Sequence, residues 1–274
     1  MGRLSQLHGT AFVTGASAGL GRVFTLMLLG EGVRVWGTSR DTARLADLAA
    51  AHPGAFHPVA LDLADPDGAV RAFTVASAAA GGSFDLVVNN AGYGVFGEFA
   101  GVESAVWVAQ VGSMLGTVLA LSHAAFLSMK GRNRGCLVNV SSLAAEFPLP
   151  YMSGYNVAKA GLSALSESLM FESRGTGIRI VDFRPGDYRT DFNRAMQKDS
   201  NTEAARRAWQ ALEAAFADAP APEGAALHLR GALLADRSGV VRCGSFFQAR
   251  LAPLLARIAP RSWVRRSVAR YFGL

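Results

Sequence analysis

Residues 10–21 read TAFVTGASAGLG. A short apolar run, TAFV, enters a turn with glycine at Gly15, Gly19 and Gly21, and the chain beyond it has helical character. Strand, glycine turn and helix in that order open a βαβ unit. Glycines at such a turn let backbone come close to a pyrophosphate, and the helix N-terminus offers N–H groups and positive potential. The spacing is G-x-x-x-G-x-G rather than G-x-G-x-x-G, and glycines can also serve a tight turn alone. The place of the turn, after the first strand and opening the first helix, favours a dinucleotide site at Gly15, Ser17, Ala18, Gly19, Leu20 and Gly21.

The same alternation continues outward. Further strands are expected at 33–39, 55–62, 84–92, 135–142 and 178–186, and helices at 19–31, 42–51, 66–80, 103–129 and 152–174. Strand runs apolar on both faces and separated by helices argue a parallel sheet covered on both sides. Right-handed crossovers then give a Rossmann-type, doubly wound α/β sheet, of about seven strands with a last one at 240–244. No composition break or internal repeat divides the 274 residues, so one domain is expected, with a substrate loop and a helical extension within about 191–274. Pro253 and Pro260 are expected to interrupt the last helices.

The second strand ends in Thr38-Ser39-Arg40. An acid there would bind the adenosine ribose 2′-hydroxyl and select NAD, whereas an arginine accommodates a 2′-phosphate. No acid lies between Arg34 and Arg40, so Ser39 and Arg40 favour NADP, and Arg22 could add to that pocket. As a plain alternative, Arg40 is a solvated strand-end charge.

Half of the residues are hydrophobic and 18% are charged, which suits a large core rather than disorder. No apolar run is expected to approach the roughly 18–20 residues that span a bilayer. The N-terminus shows no signal-peptide pattern, and Gln6 breaks the myristoylation pattern. Cys136 and Cys243 lack metal-site spacing and the five histidines form no cluster, so no metal is expected and a reducing, cytoplasmic setting is.

Residues 154–161 read GYNVAKAG, which puts Tyr155 and Lys159 four apart on one helical face. A nearby ammonium favours phenolate and lowers a pKa that is about 10 when unperturbed. By itself the pair could be an acid–base device or simply a helix bearing a tyrosine and a lysine.

TGASAGLG at 14–21, NNAG at 89–92 and YNVAK at 155–159, in that order, resemble the short-chain dehydrogenase/reductase family in its compact form. The likeness covers about residues 8–192. It implies hydride transfer between a nicotinamide and a carbonyl or alcohol, with Tyr155 as acid–base, Lys159 lowering its pKa and binding the nicotinamide ribose, and Ser142, thirteen residues before Tyr155, holding the substrate oxygen. It further implies Asp62 and Leu63 at the adenine, Asn89, Ala91 and Gly92 bordering the cofactor, and Pro185, Gly186 and Thr190 at the carboxamide. Ser141 is expected on the other face of its strand. The chain departs from the pattern at Ser113 in Ser113-Met114-Leu115-Gly116, where the family usually has the asparagine of a proton relay.

Tyr93, Phe96, Phe147, Leu149, Met152, Phe192 and Met196 are expected to wall the substrate side, which predicts a lipophilic carbonyl compound, although apolar residues after strands are also ordinary core. Ketoacyl reductases of the family end soon after a last strand with a glycine-rich turn. The last 35 residues here are instead similar to the extended tails of hydroxysteroid and retinol dehydrogenases, which suggests a steroid-, retinoid- or fatty-carbonyl-like substrate. That tail holds Arg257, Arg261, Arg265, Arg266 and Arg270 among apolar residues. It suits either peripheral contact with the inner face of an anionic membrane or a helix packed over the pocket with solvated arginines. Nucleic-acid binding is not expected, because no recognition motif accompanies the charge. Family likeness suggests a dimer or tetramer through the two long helices. The competing readings are an NADP-binding redox sensor without catalysis, a 3-oxoacyl-type reductase, and epimerisation or dehydration.

Overall fold

The computed structural model describes residues 3–192, 196–199 and 201–274. Helix α1 (Arg3–Leu7) leads into β1 (Thr10–Val13), α2 (Gly19–Gly30) and β2 (Arg34–Ser39). A 3₁₀ turn at Thr42–Leu45, α3 (Ala46–Ala51), β3 (Phe56–Ala60), α4 (Pro66–Ala79) and β4 (Leu86–Asn89) follow. After β5 (Val95–Phe96) come α5 (Ser104–Val111), a π turn at Gly112–Gly116 and α6 (Thr117–Arg132). Then come β6 (Gly135–Val140), α7 (Ser153–Glu172), β7 (Ile178–Pro185), β8 (Gln197–Lys198), α8 (Glu203–Ala217), α9 (Glu223–Leu234) and β9 (Gly239–Cys243). The chain closes with a π turn at Phe247–Leu251, α10 (Ala252–Ile258) and α11 (Arg261–Tyr271).

The main sheet has the order β3-β2-β1-β4-β6-β7-β9, with every pairing parallel. This is the doubly wound, seven-stranded α/β fold expected. β1, β4 and β6 are buried along their whole length, as apolar strands covered on both faces must be. Successive residues feed opposite cores. Val13 joins Phe24, Leu28, Phe183 and Leu229 on one face. Phe12 joins Phe73, Phe84, Leu121 and Ile180 on the other.

Succession runs from β1 to β2 and β3 on one side, and from β4 to β6, β7 and β9 on the other. The loops after β1 and β4 therefore part, and a cleft opens at the carboxyl ends of the strands. The two loops are tied by Thr14, whose hydroxyl accepts from the backbone N–H of Asn90 at 2.9 Å and of Ala91 at 3.0 Å.

Two elements are new and two expectations are corrected. The helix α1 and the parallel pair β5–β8 were not anticipated. Pro253 does not interrupt the helical run: it sits in the first turn of α10, directly after the π turn at Phe247–Leu251, and the break falls at Pro260. The helical run Ser104–Arg132 has a window of mean hydropathy 1.6, so by length and composition it could cross a membrane, contrary to expectation. In this fold it lies against α4 and α7.

Gly21 is fixed by contact. A Cβ there would lie 2.1 Å from the Gly15 carbonyl oxygen, which is backbone and cannot swing aside. Gly21→Ala is expected to lower stability by about 1–3 kcal/mol in urea unfolding, as overpacking does, and to weaken dinucleotide binding by displacing the start of α2.

Candidate active site

A cavity of ≈ 1780 Å³ is lined by the turns that follow β1, β2, β4, β6 and β7. Single ligand pockets usually occupy roughly 300–1,000 Å³, so this one has room for a dinucleotide and a second molecule.

One end is built from backbone. Gly15 and Gly19 have φ of 72° and 52°, the left-handed region that glycine occupies without a steric penalty. Helix α2 starts from Ala18, whose side chain caps nothing, so the first N–H groups of the helix have no side-chain cap there, and the residues that carry them line the cavity. Gly15, Ser17, Ala18, Gly19 and Leu20 line the wall, and these residues fit an anionic diphosphate. Gly21 stands behind the wall and makes the turn possible. Ser39 and Arg40 line the ribose end, with the Ser39 and Ser17 hydroxyls 3.4 Å apart. Asp41 also lies there, but its carboxylate caps the following 3₁₀ turn at the Ala43 N–H, 2.9 Å away. Arg44 was missed in the sequence. Its signal was position, one turn beyond Arg40 on a segment that begins at the strand end. Arg22 does not join this pocket, because its guanidinium pairs with Asp47.

Asp62, Leu63, Ala91 and Gly92 line the adjoining wall. The Asp62 carboxylate accepts from Ala64 N–H at 3.0 Å, and the Leu63 carbonyl accepts from Thr117 at 2.7 Å. Asn89 is a correction. Its amide is buried behind the wall and donates to Ser122 at 3.0 Å and Asn139 at 2.9 Å, which braces β4 against α6 and β6. The neighbouring Asn90 faces the cavity instead.

At the other end the structure brings together Ser142, Tyr155, Lys159 and Ser113. Ser142 ends the run from β6 and caps a 3₁₀ turn, accepting from Ala144 N–H at 3.0 Å. Tyr155 and Lys159 stand on the first turns of α7, and Ser113 on the π turn. The Lys159 ammonium donates to the Val140 carbonyl at 2.7 Å and lies 5.7 Å from the Tyr155 ring centroid. Enclosure pushes the Tyr155 phenol up to about 12, against the pull of a hydrogen bond from Ser142. Burial brings Lys159 down to about 8, against the attraction of Asp182. Desolvation, not the lysine, therefore sets the phenol in this state, contrary to expectation. Asp182 is held by Ser141, by Ser163 at 2.7 Å and by Arg184 Nε at 2.8 Å. Ser141 thus directs its hydroxyl to β7, as the strand alternation implied.

Phe147, Met152 and Phe192 line the substrate end with Tyr93 and Leu149, and the Phe192 ring meets Tyr155 edge-on at 5.9 Å. Phe96 and Met196 do not reach it. Beside the β5–β8 pair, both pack into the cluster that backs the wall, which Met152 joins and in which Phe96 meets Trp209 at 5.0 Å. Pro185, Gly186 and Thr190 close the floor. Unanticipated in detail, Leu255, Trp263, Val268 and Tyr271 of the last two helices complete the wall.

A lysine titrating near 8 in the folded chain and near 10.5 unfolded binds fewer protons when folded between those values. Stability must then rise with pH across that window, by about 3 kcal/mol in all. Urea unfolding at a series of pH values from 7 to 10.5 is expected to show this rise in the wild type relative to Lys159→Met, in which it is absent. Parallel pH profiles would overturn the assignment of Lys159 as a desolvated cation.

The family model of short chain dehydrogenases matches residues 9–201. The serine 3-dehydrogenase of Agrobacterium fabrum is 32% identical over 219 residues, covering 77% of this chain and 84% of its own. The crystal structure of a short-chain dehydrogenase from Streptomyces avermitilis superposes with a TM-score of 0.80 at 26% identity, over 96% of this chain and 98% of that one. A metagenomic short-chain oxidoreductase in complex with NADP gives 0.66 at 30% identity, over 85% and 96%. The glycine turn, the cleft and the Ser142–Tyr155–Lys159 cluster thus sit in a chain that belongs to the short-chain dehydrogenase family of oxidoreductases.

Proposed function

We propose that this oxidoreductase transfers a hydride between NADP(H) and the carbonyl carbon of a lipophilic ketone or aldehyde, working as a reductase. One observation carries this reading: Ser142, Tyr155 and Lys159 share a cavity with a backbone-built diphosphate cradle whose ribose end holds two arginines. When bound, the cofactor supplies the hydride. The phenol, with its pKa pushed up to about 12, stays protonated at neutral pH and is suited to donate its proton to a carbonyl oxygen as negative charge develops there. The Ser142 hydroxyl stabilises the same oxygen. Lys159, charged below about 8, holds positive potential beneath both. The α2 N-terminus, Asp62, and Pro185, Gly186 and Thr190 orient the cofactor's phosphate, adenine and carboxamide ends.

Cofactor preference follows from charge. Arg40 and Arg44 stand at the ribose end, and the carboxylate nearest them is engaged as a cap. The serine dehydrogenase likeness suggests a hydroxy acid as the second reading. A substrate carboxylate needs a cation, and among the described residues lining the substrate end Lys159 alone is one. Tyr93, Phe147, Leu149, Met152 and Phe192 favour the lipophilic compound. The outer faces of α5, α6 and α7 expose Val108, Leu127, Val157 and Phe171, which supports assembly with a second copy there.

Reduced-nicotinamide oxidation over a panel of ketones and aldehydes, from short oxoacyl thioesters to steroid ketones, tests the reading. Turnover is expected to require NADPH and to fall about 10²–10⁴-fold in Tyr155→Phe. Arg40→Ala is expected to raise the NADPH KM about tenfold and leave NADH unchanged, as for a lost charge-assisted contact. NADPH binding without turnover of any panel member would favour the redox-sensor reading. Ser113 separates a further case: the wild type is expected to be active, and turnover that appears only in Ser113→Asn would show the serine to be a broken relay.

A further inference from the structure

From Arg250 to the last residue the chain carries six arginines and no acid. The 27 basic residues less these six equal the 21 acidic ones, so the net charge of +6 resides in this segment. Its helices are also turned the unusual way. The helical run from Phe247 to Ile258 buries Pro253 and half-buries Ala249, Ala252 and Ala256. Phe247, Leu251, Leu254, Leu255 and Ile258, spaced at three or four, face outward, with Ile258 81% exposed. A surface helix of a globular chain turns its large apolar stripe inward. Phe246 and Trp263 extend the exposed patch, and Arg261, Arg265, Arg266 and Arg270 stand exposed on α11 beside it. Leu255, Ile258 and Trp263 line the cavity as well, so the patch is continuous with the cavity wall.

We propose that the α10–α11 face docks on an anionic lipid bilayer, with its apolar side chains at the headgroup–acyl boundary, its arginines on lipid phosphates and the cavity mouth turned to the membrane. Charge and apolarity together choose this occupant. A nucleic acid would meet the arginines and leave Leu254 and Ile258 in water. A second copy of the same face would bring arginines against arginines with no acid between them. The docking is independent of the hydride-transfer reading, because it can be measured without cofactor or substrate.

The full chain is mixed with vesicles of phosphatidylcholine alone or with one-third phosphatidylglycerol, and bound protein is read by sedimentation. Partition onto the anionic vesicles only is expected, with loss near 1 M salt, where the screening length is about 3 Å. The double variant Arg265→Gln/Arg266→Gln is expected to lower the partition coefficient about 30-fold, at about 1 kcal/mol per arginine. Phe246→Ser/Leu254→Ser, at exposed positions off the cavity wall, should also weaken binding, with turnover in vesicle-free buffer unchanged for both. Three results would overturn the proposal: no partition onto anionic vesicles at low salt, wild-type binding by both double variants, or a change of oligomeric state in Phe246→Ser/Leu254→Ser with vesicle binding intact. Should a variant fail to fold, the dependence of wild-type binding on salt and lipid charge decides alone.

Discussion

The Thr14 hydroxyl accepts two backbone N–H groups from the loop after β4, while its own residue directly follows β1. Asn90 answers by donating its side-chain amide to the Thr14 carbonyl at 3.0 Å. These bonds join the two strands at which the order of the sheet reverses. They carry the β1–β4 ladder on into the two loops and fix the separation of those loops, between which the site lies. The glycine turn depends on the same register: a Cβ at Gly15 would come within 3.1 Å of Ala91. The phosphate cradle and the NNAG turn are thus one packed unit.

Charge at the other end of the cavity is held in an expensive form. Lys159 and Arg184 are nearly enclosed, and Asp182 entirely so. Isolated, each would face a desolvation penalty of several kcal/mol. The fold offsets this with geometry: Asp182 takes two serine hydroxyls and a guanidinium, and Arg184 reaches on to Glu146 at 2.6 Å and Glu167 at 3.0 Å. Glu146 follows directly on the 3₁₀ turn that Ser142 caps. The ion network therefore fixes the turn carrying Ser142 and supplies negative potential that keeps Lys159 charged. Hydrophobic replacements can match such a network in stability, but they would remove the carboxylate that opposes the effect of burial on Lys159.

The sheet was legible because parallel strands buried on both faces leave uninterrupted apolar runs, and because glycine marked the first turn. Tyr155 and Lys159 were legible because one helical face relates them. The misses have physical causes. Phe96 and Met196 look no different in sequence from Phe147 and Met152, since core and cavity wall ask for the same apolar residues. What separates them is the two-residue pairing of β5 with β8, too short to leave a periodic signal. Asn89 and Asn90 differ only in which face of the chain each presents, a register fixed by long-range bonds to Thr14 and Asn139. Arg22 was assigned by proximity in sequence, yet Asp47 on α3 competes for it. The position of the phenol pKa depends on enclosure, which spacing cannot report.

The tail follows from the same balance of surface and core. A cavity wide enough for two ligands removes apolar packing from the middle of the domain, and something must close its open side. Helices α10 and α11 do so, presenting Ala252, Leu255, Ala256 and Ile258 from the first and chiefly Trp263, Val264, Val268 and Tyr271 from the second. The small residues among them, Ala252 and Ala256, keep that wall from filling the cavity. They also leave much of the large apolar surface of α10 uncovered: Leu254 faces away from the cavity, and Leu255 and Ile258 stand at its wall yet remain exposed. An outward apolar stripe on a free-standing chain invites self-association, which the four exposed arginines of α11 beside it oppose. Arginine serves this better than lysine, because its weakly hydrated, planar guanidinium can lie against apolar surface without shedding a tight water shell. The composition of the tail is thus the composition of a wall that must remain open on one side and soluble on the other.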